Sequence, residues 1–311
     1  MSRLLNIKLT SKKWSGRRVA MSGFPLTHLD RHLKTLVQQE QRFVAMCEEF
    51  PLHSNTNSKE FERRITRIIT PGTLIDESFL NPLDNNYLLA IGLSSLSDAP
   101  SQTIGLAWID ISTGEFFSKI CLFESLRDEL ARIAPREVVL SPSLKANPNH
   151  PIFSGVANTN CPISYTGSIA LETDLVSPPF QHGPLSVLSM DNHHRERDST
   201  AASSPNPSEQ PTFNVEPSDD LDSLPAQESF AIALLTRFLK ENLLEHMPLL
   251  ECPIHEGVQE IMQIDSHTIQ DLEIRESIYE GGTKGSLLSV VKRTITNGGA
   301  RLLARWLCES P

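Results

Sequence analysis

Along this chain apolar positions alternate with polar ones, then recur every three or four residues, and then almost disappear. Arg17–Ser22 reads as a strand that ends at Gly23-Phe24-Pro25. From Leu26 to Gln39, Leu29, Leu33, Leu36 and Val37 recur at helical spacing. Arg42–Cys47 is a short apolar run that predicts a buried strand, and Ile65, Arg67 and Ile69 alternate within Arg63–Ile69 as a strand requires. Thr70-Pro71-Gly72-Thr73 is turn chemistry and closes this first unit. Tyr87–Ser94, Thr103–Ser112 and Glu115–Phe123 are rich in Ile, Leu, Phe and Trp, and Ser112-Thr113-Gly114 supplies a tight hairpin turn between the last two. Leu126, Leu130 and Ile133 share one face of a helix predicted over Ser125–Ala134, and Glu137–Leu140 is a further strand. Strands in succession, then a helix and a strand, imply a small α/β domain.

From Pro142 to Pro184 proline is frequent and periodicity poor, which predicts irregular structure with strands near Ile152–Val156 and Ser186–Met190. Residues 198–225 contain no Lys or Arg and are mostly Ser, Pro, Asp and Glu. Such a stretch buries too little apolar surface to offset the entropy of ordering it, so it reads as a disordered acidic linker. Phe230, Leu234 and Phe238 then repeat every four residues in a helix over Gln227–Glu245, whose wide apolar face is expected to pack against other helices. Val258–Ile264 reads as a strand, and Ser266 is placed to cap a helix running through Leu272 and Ile274. Ser286–Thr294 and Gly299–Leu307 read as a helix pair separated by Thr296-Asn297-Gly298.

Composition sharpens this outline only when it is divided. The 311 residues carry 28 Lys plus Arg against 38 Asp plus Glu, a net charge of −10, which argues against a simple basic DNA-coating protein. Residues 1–80, however, hold 13 basic and 8 acidic side chains, net +5, and only this part suits a phosphate backbone. Arg3, Lys8, Lys12, Lys13, Arg17 and Arg18 all precede the first acidic residue, Asp30. An acid-free basic start has two readings, a mitochondrial transit peptide or a DNA-facing domain in which Leu4–Leu9 and Arg17–Ser22 are strands. Five Cys without a CxxC pair are not a disulfide framework and favour a reducing compartment. The apolar runs are short, so no membrane span is expected.

Candidate chemistry is sparse. Gly281-Gly282-Thr283-Lys284-Gly285-Ser286 lacks the Walker A order, because Lys284 precedes the last Gly instead of following it, and it reads as a flexible connection. Asp110 and Glu115 flank a hairpin turn like a nuclease carboxylate pair, but two-metal hydrolysis needs more converging acids, and Asp84, Asp98 and Glu124 show no obvious convergence. His28 and His32 are spaced i, i+4, a possible metal geometry, but without a nearby Cys or a Glu base they read as a solvated helix face. Cys252 with His255, and His193-His194, are isolated.

Three stretches in order resemble the MutS family of mismatch-recognition proteins. Gly23-Phe24-Pro25 with Arg67-Ile68-Ile69-Thr70-Pro71-Gly72-Thr73-Leu74-Ile75-Asp76-Glu77 resembles the end of that family's mismatch-binding domain. Ala107-Trp108-Ile109-Asp110-Ile111-Ser112-Thr113-Gly114-Glu115-Phe116 is similar to the hairpin of its connector domain, and Met262–Asp265 through Arg301–Leu307 to the start of its helical core. Gly23-Phe24-Pro25-Leu26 and Cys47-Glu48-Glu49-Phe50 most resemble the fungal mitochondrial homologue.

The fold class this implies is α/β plus α: a partial mixed α/β mismatch-binding domain over 1–78, an RNase H-like connector over 79–197, the linker at 198–225, and the start of a helical core or lever domain over 226–311. By the same resemblance the DNA-facing reading of the basic start is preferred to the transit peptide. Thr27, His28 and Arg67 are expected near the DNA backbone, Arg67 as a phosphate contact and the Thr27–His28 helix start through free N–H groups. The family's Phe-x-Glu wedge and Walker ATPase are expected outside these residues, so the chain reads as an internal piece with no catalytic site. It would hold no metal or cofactor of its own, although ATP and Mg serve the full-length family. Expected partners are double-stranded DNA with mispairs, other MutS-type subunits and repair factors, in a mitochondrion or alternatively a nucleus. The alternatives are an RNase H-like metal-dependent nuclease built on Asp110 and Glu115, or a protein-interaction scaffold.

Overall fold

The computed structural model describes residues 1–51, 61–74, 84–93, 102–157, 159, 161–166, 224–257, 262–279 and 281–310. Near the start, β1 (Leu9–Trp14) and β2 (Arg17–Ser22) form an antiparallel hairpin. Its two turn residues, Ser15 and Gly16, have φ of 46° and 80°, the positive pair that tight two-residue hairpin turns select. The expected strand at Leu4–Leu9 does not form. Leu5 N–H donates to Met1 O and Ile7 N–H to Ser2 O, both at 3.0 Å, and Asn6 sits at φ 50°, so the chain coils there and extends only from Leu9.

A short helix α1 (Leu29–Lys34) runs into a wider turn over Thr35–Gln39. It packs on an antiparallel ribbon of β3 (Val44–Pro51) and β4 (Phe61–Ile69), whose register slips between Met46 and Cys47. Leu33, Val37, Ile69 and Leu74 form the small core, backed by Leu29, Val44 and Met46. The helical spacing of 29, 33 and 37 is what presents one apolar stripe to this ribbon.

The main sheet follows. β5 (Tyr87–Leu93), β6 (Thr103–Asp110) and β7 (Glu115–Leu122) form an antiparallel meander, and β8 (Glu137–Leu140) returns parallel to β5 after α2 (Leu126–Ile133). The strand order is β10-β7-β6-β5-β8-β9, with β9 (Ile163–Tyr165) at one edge and β10 (Ile254–His255) at the other. Leu89, Ile91, Leu106, Trp108 and Val138 face α2 and α3 (Ile152–Ala157). Leu88, Ala90, Ala107, Ile109 and Val139 face the long helix α4 (Ala226–Leu243). Strands covered on both faces read as continuous apolar runs, which is why 87–91 and 104–109 lack clean alternation.

Two expectations are corrected here. Ile152–Val156 is helix α3, not a strand. Ile152 and Val156 suit either period, but Pro151 starts a helical turn that accepts from Ser154 N–H at 3.0 Å, and Ser154 stays in solvent. Helix α4 does not seek other helices. It lies along β5 and β6, where Gly92 and Gly105 are cross-strand partners. A Cβ on Gly92 would come within 2.3 Å of Gln227 O, and one on Gly105 within 2.1 Å, so two bare backbones make the seat for this helix. The 18 residues of α4 are apolar over much of their circumference because β5–β8 cover one side while Leu250 and Met247 fold back beside it.

The last segment carries α5 (Ser266–Asp271), α6 (Leu287–Val291) and α7 (Asn297–Trp306), with a two-residue pairing of β11 (Met262–Gln263) and β12 (Glu309–Ser310). Asp265, not Ser266, caps α5, accepting from Thr268 N–H at 2.7 Å. Thr296 caps α7 by accepting from Gly299 N–H, so Asn297 and Gly298 lie inside that helix and not between helices. Ser186–Met190, His193-His194, Asp98, residues 198–223 and the 258–261 part of the expected strand lie outside the described residues. No described helix is long and apolar enough to cross a membrane.

Candidate nucleic-acid interface

Thr27 and His28 are exposed at the 3-10 turn Leu26–His28 that leads into α1. Two amides here are used internally: His28 N–H donates to Pro25 O at 2.9 Å, and Leu29 N–H to Leu26 O. The His28 ring stands edge-on to His32 at 6.3 Å, and His32 lies against Phe24 at 4.3 Å. Arg67 lies on β4 opposite Met46, directly at the slipped register, two residues before core Ile69. It is half-buried and already engaged within the fold. The α1–β4 core thus places the three expected contact residues on one small unit.

The carboxylate pair has a different job. Asp110 is fully buried and accepts from Asn86 N–H at 2.9 Å, Ser112 N–H at 2.9 Å and Ser112 Oγ at 2.6 Å, with Arg301 Nη1 3.9 Å away. Its own carbonyl accepts from Gly114 N–H at 2.8 Å. Glu115 is exposed and accepts from Tyr87 OH at 3.3 Å, and burial together with Glu115 raises the Tyr87 phenol above its ordinary value. Asp110 therefore locks the hairpin turn, and its oxygens are already committed to N–H and O–H donors. Asp84 lies against Arg136 at 3.4 Å, and Glu124 is exposed at the start of α2. Among the described residues no three His, Cys, Asp or Glu side chains gather as a metal site. This geometry does not favour a nuclease.

The Gly281–Ser286 loop is an ordered turn, closed by Ser277 N–H to Gly282 O at 2.7 Å, with Ser286 capping α6. His255 is not isolated: its Nδ1 lies 2.7 Å from buried Glu228 of α4, which ties β10 to that helix.

Sequence reasoning missed two junctions. At the first, Thr70 N–H donates to Thr73 Oγ1 at 2.8 Å, while Thr70 Oγ1 and Gly72 N–H donate to Glu137 Oε2 at 2.5 and 2.8 Å. Ser164 Oγ donates to the other oxygen. Glu137 is fully buried on β8, and desolvation raises its carboxyl above the ordinary value despite the lowering effect of Ser164, Thr70 and Gly72. The Thr-Pro-Gly-Thr turn is thus a plug seated on one buried acid. At the second, Arg132 of α2 meets Glu129 at 2.8 Å, Glu256 at 2.9 Å and Glu309, and Arg305 of α7 meets Glu256 at 2.5 Å and Glu309 at 3.0 Å. Lys119 completes the set by pairing with Glu129. Three cations and three anions alternate above the stacked rings of Trp108 and Phe117, with Arg132 over the first and Arg305 over the second. No helical or strand period connects partners so far apart in sequence.

Comparison with known proteins agrees with this order of units. The family models of MutS domain I, MutS domain II and MutS domain III match residues 1–78, 86–168 and 267–310. The chain belongs to the MutS family. Proteins named DNA mismatch repair protein MutS are similar to it along nearly its whole length: 32% identity over 309 residues in Rhodopseudomonas palustris and 33% over 310 residues in a Ruegeria species. These matches take in 98% and 97% of this chain but about 30% of each relative, so the chain spans under a third of the length of the curated relatives it matches. In MutS terms, the Thr70–Glu137 plug joins domain I to domain II, and the Arg132 cluster joins domain II to the segment that contains domain III.

Proposed function

We propose that this MutS-family chain serves DNA mismatch repair as the part of a mismatched-DNA-binding protein that touches the duplex and relays that contact onward. The observation that carries this reading is the ordered match of MutS domains I, II and III, with the largest basic excess in the first. Domain I supplies Thr27, His28 and Arg67 toward the backbone. Domain II is the RNase H-like connector, a mixed sheet with helices on both faces. Residues 267–310 begin the lever of the helical core. Mismatches unstack at lower cost than paired bases, so such proteins select for deformability and not for base edges. The side chain that would wedge into the stack is a Phe-x-Glu, and the 311 residues contain no such string.

ATP with Mg would be the fuel of the full-length protein, and other MutS-type subunits its partners. The fungal mitochondrial homologue is the subfamily we favour, on Gly23-Phe24-Pro25-Leu26 and Cys47-Glu48-Glu49-Phe50; the protein would then act in the mitochondrion, the nucleus being the alternative. Fluorescence anisotropy with matched and mispaired duplexes tests the reading. Binding that weakens steeply with salt and differs little between the two duplexes is expected. Strong mismatch discrimination would refute the wedge argument, and no binding at low salt would refute the DNA-contact role.

A further inference from the structure

We propose that His28 and His32 form a two-histidine site for a divalent transition-metal ion of the Zn²⁺ or Co²⁺ type, on the outer face of α1. The site needs nothing from the DNA reading above. Residues four apart in a helix lie one above the other, and here the two rings stand 6.3 Å apart, edge to face. Two metal–nitrogen bonds of about 2.0–2.1 Å draw a pair of imidazoles closer than this. Rotation of His28, which is exposed at the helix start, supplies the approach.

The pair is held differently from two solvated histidines. Leu33 and Val37 bury the opposite face of the helix in the small core, with Leu29 beside them, so the backbone carrying both rings is fixed. Phe24 lies 4.3 Å from the half-buried His32 ring and closes off one of its sides. Among the described residues neither imidazole has a hydrogen-bond or ion-pair partner, in contrast to His255 on Glu228. An imidazole nitrogen without a partner is a ready ligand for zinc-type ions, whereas Mg²⁺ and Ca²⁺ favour oxygen donors. Charge then fixes the sign of the salt effect. Arg31 and Lys34 share the short helix with Asp30, and residues 1–80 are net +5. Imidazole nitrogens hold the ion against a positive field, so screening that field tightens binding.

Calorimetric titration with Zn²⁺ alone, in a non-chelating buffer, compares the full chain with His28→Ala and His32→Phe. His28 makes no capping hydrogen bond, and Phe at 32 keeps a ring against Phe24, so metal-free circular dichroism melts should match the parent. Removing only the supporting partner of a metal ligand costs roughly tenfold or more in affinity, so each variant should weaken Zn²⁺ binding at least that much. Sodium nitrate should strengthen binding by the parent chain, and excess Mg²⁺ should not displace the ion. Co²⁺ should give visible bands without the near-ultraviolet absorption of a thiolate ligand. Equal binding by parent and variants would place the ion elsewhere, for example on exposed Cys47, and overturn the site. So would the absence of any binding, a thiolate band, or binding that salt weakens as carboxylate donors require.

Discussion

Thr70 Oγ1 donates a 2.5 Å hydrogen bond to Glu137 Oε2, joining the turn that ends MutS domain I to the innermost parallel strand of domain II. The same oxygen holds Gly72 N–H, and Gly72 has no room for a side chain, since a Cβ would meet Leu88 Cδ1 at 2.6 Å. Glu137→Ala would remove the acceptor of three buried donors, Thr70 Oγ1, Gly72 N–H and Ser164 Oγ, and should cost on the order of 3 kcal/mol. Glu137→Gln should be far milder. Its amide oxygen still accepts from Thr70 and Gly72, and its amide nitrogen can donate to Ser164 Oγ. Urea unfolding of the two variants separates these outcomes, and equal losses would reject the hydrogen-bond account.

The same residue sets a pH dependence. Burial raises its folded-state carboxyl above the ordinary value of 4.5, so the native chain holds this proton more tightly than the unfolded one. Its contribution is therefore complete below 4.5 and is lost as pH rises through the folded-state value. Glu137→Gln removes the titration. The stability advantage of the parent over this variant should shrink as pH rises from 4.5, read from denaturation midpoints. A growing advantage would mean that the hydrogen bonds outweigh burial.

Gly92 and Gly105 predict a second effect. Either glycine replaced by Ala would drive a methyl group into the backbone of α4, at Gln227 and Ala231 for Gly92 and at Gln227 and Glu228 for Gly105. Overpacking against backbone, which cannot rotate away, should cost about 1–3 kcal/mol at each site. Because the two share one seat, the double variant should lose less than the summed singles. Thermal melts of the three variants provide the check.

These relationships also mark what the sequence alone reveals. The meander at 87–122 was legible because Ser112-Thr113-Gly114 separates two apolar runs, and Thr70-Pro71-Gly72-Thr73 was legible as a turn. Its anchor was not, because Glu137 opens the run Glu137-Val138-Val139-Leu140 and reads as a polar strand end. The apolar circumference of α4 pointed to helical neighbours, whereas the informative signal was a pair of glycines in strands far earlier in the chain. Thr27 and His28 lie exposed at the turn that leads into α1. Arg67 is half-buried because the slipped register at Met46 and Cys47 changes how β4 presents its side chains, and periodicity carries no trace of such a slip.

Asp110 predicts a structural phenotype. Asp110→Ala would leave the Asn86 and Ser112 amides without their acceptor and should lower stability by about 2 kcal/mol. The parent chain with Mg or Mn should leave labelled duplex and RNA–DNA hybrid intact on a gel. Metal-dependent cleavage abolished by Asp110→Asn, with an unchanged melt, would instead restore the nuclease reading.

The Arg132 cluster makes the strongest prediction for coupling between domains. Its side chain is 12% exposed, and its guanidinium is shared among Glu129, Glu256 and Glu309, so removing it leaves three acids facing only Lys119 and Arg305. Breaking a buried pair by truncating one partner costs about 3–5 kcal/mol. Part of that cost should be local, since Glu256 and Glu309 belong to the later segment while Glu129 and Trp108 belong to the sheet unit. Arg132→Ala should therefore raise hydrogen exchange in α5 and α7 before it does so in β5 and β6. Arg275 ties the later segment to α2 separately, because it donates to the Arg132 backbone carbonyl at 2.6 Å, which the substitution keeps, and to Cys308 Sγ at 3.2 Å. Arg132→Met should be milder, as a thioether over Trp108 retains packing that Ala gives up. If exchange rose uniformly through the sheet and the later helices alike, the cluster would be stabilising the whole fold without acting as a hinge point between its parts.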